Sequence, residues 1–125
     1  MAANKTRAHV LYPELSYAVN GALFAVHNEL GPYAREKQYG DCFESKLKAK
    51  KLRYQRELRI GTSGNIIDVM VEGKIAIEFK AKRTLTSEDY RQIQNYLQVS
   101  GVELGLLVNF RHISLRPIRV LRLAR

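Results

Sequence analysis

Cysteine occurs once in this 125-residue chain, at Cys42, which excludes a disulfide framework and a thiolate zinc site. Cys42 stands beside Phe43 in an amphipathic pattern and reads as a small core residue. No uninterrupted apolar run approaches the roughly 20 residues of a membrane span, and the N-terminus has no apolar stretch of the signal-peptide kind. The expected compartment is therefore cytoplasmic, with no membrane partner. Internal repeats, low-complexity tracts and domain linkers are also missing, so residues 1–125 are expected to form one domain, with 1–12 as a loose lead-in. Acidic residues are the other scarcity: 12 Asp and Glu face 21 Lys and Arg, a formal net charge of +9. That balance favours a polyanionic partner, nucleic acid before an acidic membrane. The cations also cluster. One block holds Lys46, Lys48, Lys50, Lys51, Arg53, Arg56 and Arg59; Arg111, Arg116, Arg119, Arg122 and Arg125 follow Glu103 with no further acid.

What is present is organised around the stretch from Asp68 to Lys80. Two runs rich in Val and Ile flank Glu72-Gly73, the pattern of a β-hairpin turning at the glycine. Ile67, Val69, Val71, Ile75, Ile77 and Phe79 alternate and are expected to form one apolar sheet face, which sends Asp68, Glu78 and Lys80 to the other. Whether the two carboxylates share that face depends on the turn. A two-residue loop at Glu72-Gly73 pairs residue 68 with 77 and separates them. A type I turn at Val71-Glu72, with Gly73 as the bulge residue, pairs 68 with 76 and brings Asp68, Glu78 and Lys80 together. Two carboxylates beside an ammonium offer what a hard divalent cation and a developing oxyanion require. A D…E-x-K spacing also recurs by chance on salt-bridged sheet surfaces.

Upstream, Leu15, Ala18, Val19, Ala22, Leu23, Val26 and Leu30 recur at helical spacing, with Pro13 suited to the first turn and Gly31-Pro32 as the stop. His27, near that helix's end, reads as structural. A second helix is expected over 34–52, with Tyr39, Cys42, Phe43 and Leu47 inward and Glu36 sharing a polar patch with Tyr39. Tyr54 to Ile60 reads as an edge strand and 61–64 as a turn. Thr86-Ser87-Glu88-Asp89 is a strong helix start. That helix runs to Ser100, stopping at Gly101, with Tyr90, Ile93 and Leu97 as its buried stripe and Gln92 and Tyr96 on an adjacent face. Leu104 to Phe110 reads as a strand covered on both sides, and the crossover helix before it implies parallel pairing with an earlier strand. Pro117 to Leu123 adds a basic edge strand. The reading is an α/β fold with a mixed central sheet flanked by helices.

These residues resemble the GxxExxY protein family, a branch of the PD-(D/E)XK nuclease superfamily. The likeness rests on Gly31-Pro32 through Glu36 and Tyr39, on Asp68 and Glu78-Phe79-Lys80, on Gln92 and Asn95-Tyr96-Leu97, and on Gly105-Leu106-Leu107-Val108-Asn109-Phe110. It spans about Leu15 to Phe110. Gln92-x-x-x-Tyr96 also looks like the glutamine-tyrosine helix motif of RecB-like nucleases. Two positions depart from the pattern: Tyr33 stands where the family usually has glycine, and Ile67 where the superfamily name has proline.

The resemblance implies a restriction-endonuclease-like αβββαβ core and a nuclease that hydrolyses phosphodiester bonds of DNA, with RNA as the second choice. It implies Mg²⁺ or Mn²⁺ held by Asp68, Glu78 and the backbone carbonyl of Phe79, with Glu36 as an auxiliary acid. Lys80 falls beside the scissile phosphate, and Gln92 and Tyr96 orient that phosphate or Lys80. Lys46, Lys50, Lys51, Lys82, Arg83, Arg116 and Arg119 are the cations expected to hold the nucleic-acid backbone, which supplies affinity but no base sequence. Because one such site cuts one strand, action on duplex DNA implies a homodimer. The alternatives on the same fold are a non-catalytic nucleic-acid binder and a protein-interaction domain.

Overall fold

The computed structural model describes residues 11–62 and 64–124. The expected lead-in lies outside them except for Leu11 and Tyr12. The described residues form eight elements in order: α1 (Pro13–Leu30), α2 (Glu36–Ala49), β1 (Tyr54–Arg59), β2 (Ile66–Val71), β3 (Ile75–Lys80), α3 (Ser87–Ser100), β4 (Leu104–Asn109) and β5 (Ile118–Leu121). The strands form one five-stranded sheet in sequence order. Only β3 and β4 are parallel, because α3 carries the chain back between them. From α2 to β4 this is the αβββαβ core, with α1 added before it and β5 after it. No described helix is long and apolar enough to cross a membrane.

Local chemistry sets the helix ends. Pro13 occupies the first turn of α1, where a missing N–H costs nothing, and Gly31 ends it at φ 73 with its N–H on the His27 carbonyl at 2.8 Å. The second helix is shorter than its expected 34–52. Its entry is fixed by the Tyr39 hydroxyl, which accepts the Ala34 N–H at 3.0 Å and donates to the Gly31 carbonyl at 2.5 Å. At its other end Lys51 turns to φ 58. For α3, the Asp89 carboxylate reaches back to accept the Thr86 N–H at 2.7 Å, closing a capping box.

Two apolar layers sandwich the sheet. Leu23 and Val26 of α1 and Phe43 and Leu47 of α2 pack on Val69, Ile77, Phe79 and Val108. Ile93, Tyr96 and Leu97 of α3 pack on Ile67, Met70, Ala76 and Leu107. Two expectations therefore change. Tyr39 makes no polar patch with Glu36: it is fully buried and stacks on Phe110 with centroids 4.0 Å apart. The inward stripe of α3 runs through Asp89, Ile93, Tyr96 and Leu97, leaving Tyr90 41% exposed.

Gly105 lets α3 approach β4. A Cβ there falls 2.9 Å from Ile93 Cδ1 and 3.4 Å from the Ala76 carbonyl oxygen, and Ile93 is itself boxed in by the α3 layer. Gly105→Ala should therefore lower stability by about 1–3 kcal/mol, the usual cost of overpacking. Urea denaturation measures it.

Candidate active site

The hairpin that organises the sequence turns in neither expected way. Val71 pairs with Ile75, Met70 with Ala76 and Val69 with Ile77. Glu72 and Gly73 are both left-handed, at φ 54 and 64, and the Lys74 N–H donates to the Val71 carbonyl at 2.9 Å. This is the pattern of a type I′ turn, with Lys74 left over before β3. Continuing the register one step sets Asp68 opposite Glu78. The two acids face each other across the strands, near enough for the Asp68 charge to act on Glu78.

The strands part at this point. Val69 packs on the α1–α2 side, yet Ile67, two residues before it, packs on the α3 side. On β1 the same switch occurs between Arg56, which bonds Asp41 and Glu44 of α2, and Leu58, which packs in the α3 layer. Between them Glu57 takes φ 51, a strained value for a residue with a Cβ. The expected unbroken alternation from Ile67 to Val71 is therefore wrong: β1 and β2 swap faces at Glu57 and Asp68 without changing register. Asp68 emerges at the swap, and its Oδ2 accepts the Phe79 N–H at 2.7 Å.

Glu78 is buried, with Oε2 3.5 Å from the Lys80 ammonium and Oε1 without a hydrogen-bond partner among the described residues. Lys80 also donates to Gln92 Oε1 at 3.3 Å and lies 3.7 Å from Asp89 Oδ1. Glu36, from the first turn of α2, faces the same place. It lines a cleft of about 230 Å³ with Gly40, Arg56, Glu57, Asp68 and Phe79. The roomier groove of about 890 Å³ runs along α3 past Gln92 and Asn95, away from the carboxylates.

The electrostatics follow from crowding acids at a dry point. Burial, then the Asp68 charge, pushes the Glu78 carboxyl up to about 8, with Lys80 opposing. Burial also raises Asp68, against the Phe79 N–H, the neighbouring Glu78 carboxyl and the charge of Lys80. Glu36 is raised by partial desolvation and by Asp68, although its side chain reaches solvent; Lys80 and a backbone bond from Ala81 oppose the rise. All three acids thus resist ionising together, the condition that a bound cation relieves. Among the described residues no three His, Cys, Asp or Glu are already gathered as metal ligands. Asp68 and Glu78 form a pair, with Glu36 beside it.

The remaining expected site residues divide. Gln92 reaches Lys80, but Tyr96 is a core residue whose hydroxyl has no partner among the described groups, and burial pushes it up to about 12. Lys46 pairs with Glu29, and Lys82 binds Asp89 at 2.9 Å. Arg119 reaches the start of α1, donating to Ser16 Oγ at 3.1 Å and the Leu11 carbonyl at 3.2 Å. Lys50, Lys51, Arg83 and Arg116 are exposed. Asp89 was legible only as a helix cap, yet it holds two lysines. Burial works against its ionised form, but the Thr86 N–H and Lys82 outweigh it and keep its carboxyl below the ordinary range. Asn109 and Arg111 were also missed. Asn109 grips the Lys82 backbone from both sides, at 3.2 and 2.8 Å, and Arg111 ties Pro32 to Ala81 at 3.3 and 3.1 Å.

No curated protein matches the chain. A family model for the PD-(D/E)XK nuclease superfamily does match, over residues 13–120, from the first turn of α1 into β5. A mixed sheet that presents an aspartate on one strand and Glu-x-Lys on the next is thus placed by descent as well as by geometry, and this chain belongs to the PD-(D/E)XK nuclease superfamily.

Proposed function

We propose that this chain, as a member of the GxxExxY branch, hydrolyses phosphodiester bonds of DNA, with RNA second, using Mg²⁺ or Mn²⁺. The observation that carries the reading is the Asp68–Glu78 pair: a buried carboxyl facing a half-buried one, one Glu78 oxygen without a partner among the described residues, and an ammonium 3.5 Å from the other. Superfamily members generally use a divalent ion, and this donor set suits a hard cation of the Mg²⁺ type, which keeps several waters and takes few protein ligands. Asp68, Glu78 and the Phe79 carbonyl are the groups assigned to hold it. Such an ion neutralises phosphate charge and makes a water acidic.

The chain's own residues supply the rest. Lys80, steadied by Gln92 and Asp89, donates to the oxygen that gains charge as water attacks phosphorus and the sugar oxygen leaves. The exposed Arg83, Arg116, Lys50 and Lys51 bind phosphates along the strand. The test is cleavage with Mg²⁺ and Mn²⁺ on single-stranded, duplex and branched DNA, run beside Glu78→Ala. Cutting that needs the ion and is lost in the variant supports the reading. Binding that ignores the ion and survives Asp68→Ala makes the chain a non-catalytic binder. Sedimentation on DNA checks the homodimer that duplex cleavage calls for.

Glu36 acts as the auxiliary acid in this scheme. Its carboxyl, raised by partial desolvation and then by Asp68, is relieved when a cation arrives. Glu36→Gln should weaken Mg²⁺ binding by about tenfold, as loss of an outer partner does at metal sites, and titration calorimetry reads this directly. An unchanged affinity leaves Glu36 as a helix-dipole partner alone.

A further inference from the structure

In the loop that leads into the Glu36 helix stands an aromatic ring with no part in the core. Tyr33, the residue in place of the family's glycine, lies in the loop between α1 and α2 and is 80% exposed. An exposed loop tyrosine ordinarily swings free; this one is underpinned. The Arg111 guanidinium lies 5.6 Å from its ring centroid, and is fixed in turn by the carbonyls of Pro32 and Ala81. Ala81 follows Lys80 directly on the strand that carries Glu78, and Pro32 leads through the loop to Glu36 at the start of α2. The ring is thus tied to both the strand and the helix that carry the acids, one face on the cation and the rest towards solvent.

A second feature continues the path beyond Lys80. A groove of about 540 Å³ is lined by Arg83, Tyr90, Asn109, His112 and Arg116. Among the described residues neither Arg83 nor Arg116 has a carboxylate partner, so both charges are available to phosphates. A supported ring, a site for one phosphate and a cationic groove containing a second part-exposed ring make up the pattern of a single-strand track. A continuous duplex cannot use the first ring, since its bases are stacked on both faces.

We propose that Tyr33 stacks on an unpaired base next to the scissile phosphate, so that the site takes single-stranded nucleic acid, or an unpaired segment, ahead of continuous duplex. This rests on the nuclease reading above and names its substrate class. The Arg111–Tyr33 contact is an anchor that sets the ring's plane before a base arrives, and removing ring motion in advance lowers the cost of binding.

The experiment is competition by fluorescence anisotropy. A labelled DNA single strand is displaced by unlabelled single-stranded DNA, single-stranded RNA or relaxed closed-circular duplex, using the wild type, Tyr33→Ala and Tyr33→Phe. Circular dichroism verifies that both variants are folded. The wild type should favour the single strand, and Tyr33→Ala should lose about 5- to 150-fold of that affinity, the range for one stacked base, with duplex affinity unchanged. Tyr33→Phe should behave as wild type. Better competition by RNA than DNA supports the stacking role and moves the substrate to RNA. Equal losses on single strand and duplex, or none on either, overturn it. If Tyr33→Ala still cuts both forms at wild-type rates, the stacking role falls and the nuclease reading stands. If the wild type neither binds nor cuts any strand, both fall.

Discussion

Glu78→Gln should abolish ion-dependent cleavage and, in the absence of metal, make the protein more stable. Losing a ligand to a catalytic cation removes several kcal/mol of transition-state stabilisation, and about 1.4 kcal/mol is tenfold in rate, so the fall is about a thousandfold or more. The gain in stability has the opposite origin. Glu78 has its folded-state carboxyl raised from 4.5 to about 8, so the native protein holds a proton that the unfolded chain has released throughout that window. The contribution of this proton to stability is complete below about 4.5 and is lost as pH rises through about 8. Thermal melts of the metal-free wild type should therefore fall across this range, by an amount on the order of a few kcal/mol. Glutamine imitates the protonated acid and should remove the part of the slope that Glu78 contributes, leaving the smaller part from Asp68 and Glu36. Mg²⁺ should flatten the wild-type curve, because it takes over the role of the proton, and leave the variant's curve where it was. A wild-type melt that ignores pH between 5 and 8 sinks this account of the pair.

Lys80→Ala should separate chemistry from binding. Lys80 stands among Glu78, Asp89 and Gln92 at 3.3–3.7 Å, where an ammonium meets the charge that develops during reaction. Removing one such donor costs about 10²–10³ in turnover, while the affinity for DNA, spread over many cations, should stay nearly intact. Arg116→Ala should do the reverse, weakening binding and reducing the salt slope by about 1 with turnover at saturation unchanged. Arg116 is the proper control because Arg119, though basic and nearby in sequence, is committed to Ser16 and Leu11. Equal loss of affinity in both variants would return Lys80 to the general basic surface.

The helices and strands were legible because apolar spacing and punctuation agreed: Pro13 and Gly31 bracket α1, Thr86 and Gly101 bracket α3. The meeting of Asp68 with Glu78 was legible only as one of two outcomes. Neither considered a turn that places Glu72, with its Cβ, in the left-handed region, a choice that propensity does not reveal. The exchange of faces at Glu57 and Asp68 was invisible for the same reason. Strict alternation assumes an even pleat, and the strain that breaks it is held by surrounding structure. On α3, Tyr90 and Tyr96 are the same residue type on neighbouring faces, so periodicity alone could not say which was inward. Charge counting overstated the basic surface: Lys46 is neutralised by Glu29, a partner far back in the chain on another helix.

Asn109 has a consequence for how the molecule breathes. Beyond Lys80, where the Phe110 N–H makes the last backbone bond to β3 at 2.9 Å, the β3–β4 ladder is continued by a side chain, the Asn109 amide acting as a substitute peptide on the N–H and carbonyl of Lys82. Amide exchange at Phe110 and Lys82 should then follow a single opening event close to that of the buried β4, whereas Arg83 and Thr84, which have no such bond among the described residues, should exchange freely. The boundary between the slow and the fast amide falls at one peptide bond. On its slow side lie the residues that must not move during a reaction, and on its fast side the loop that can yield to strands of different shape.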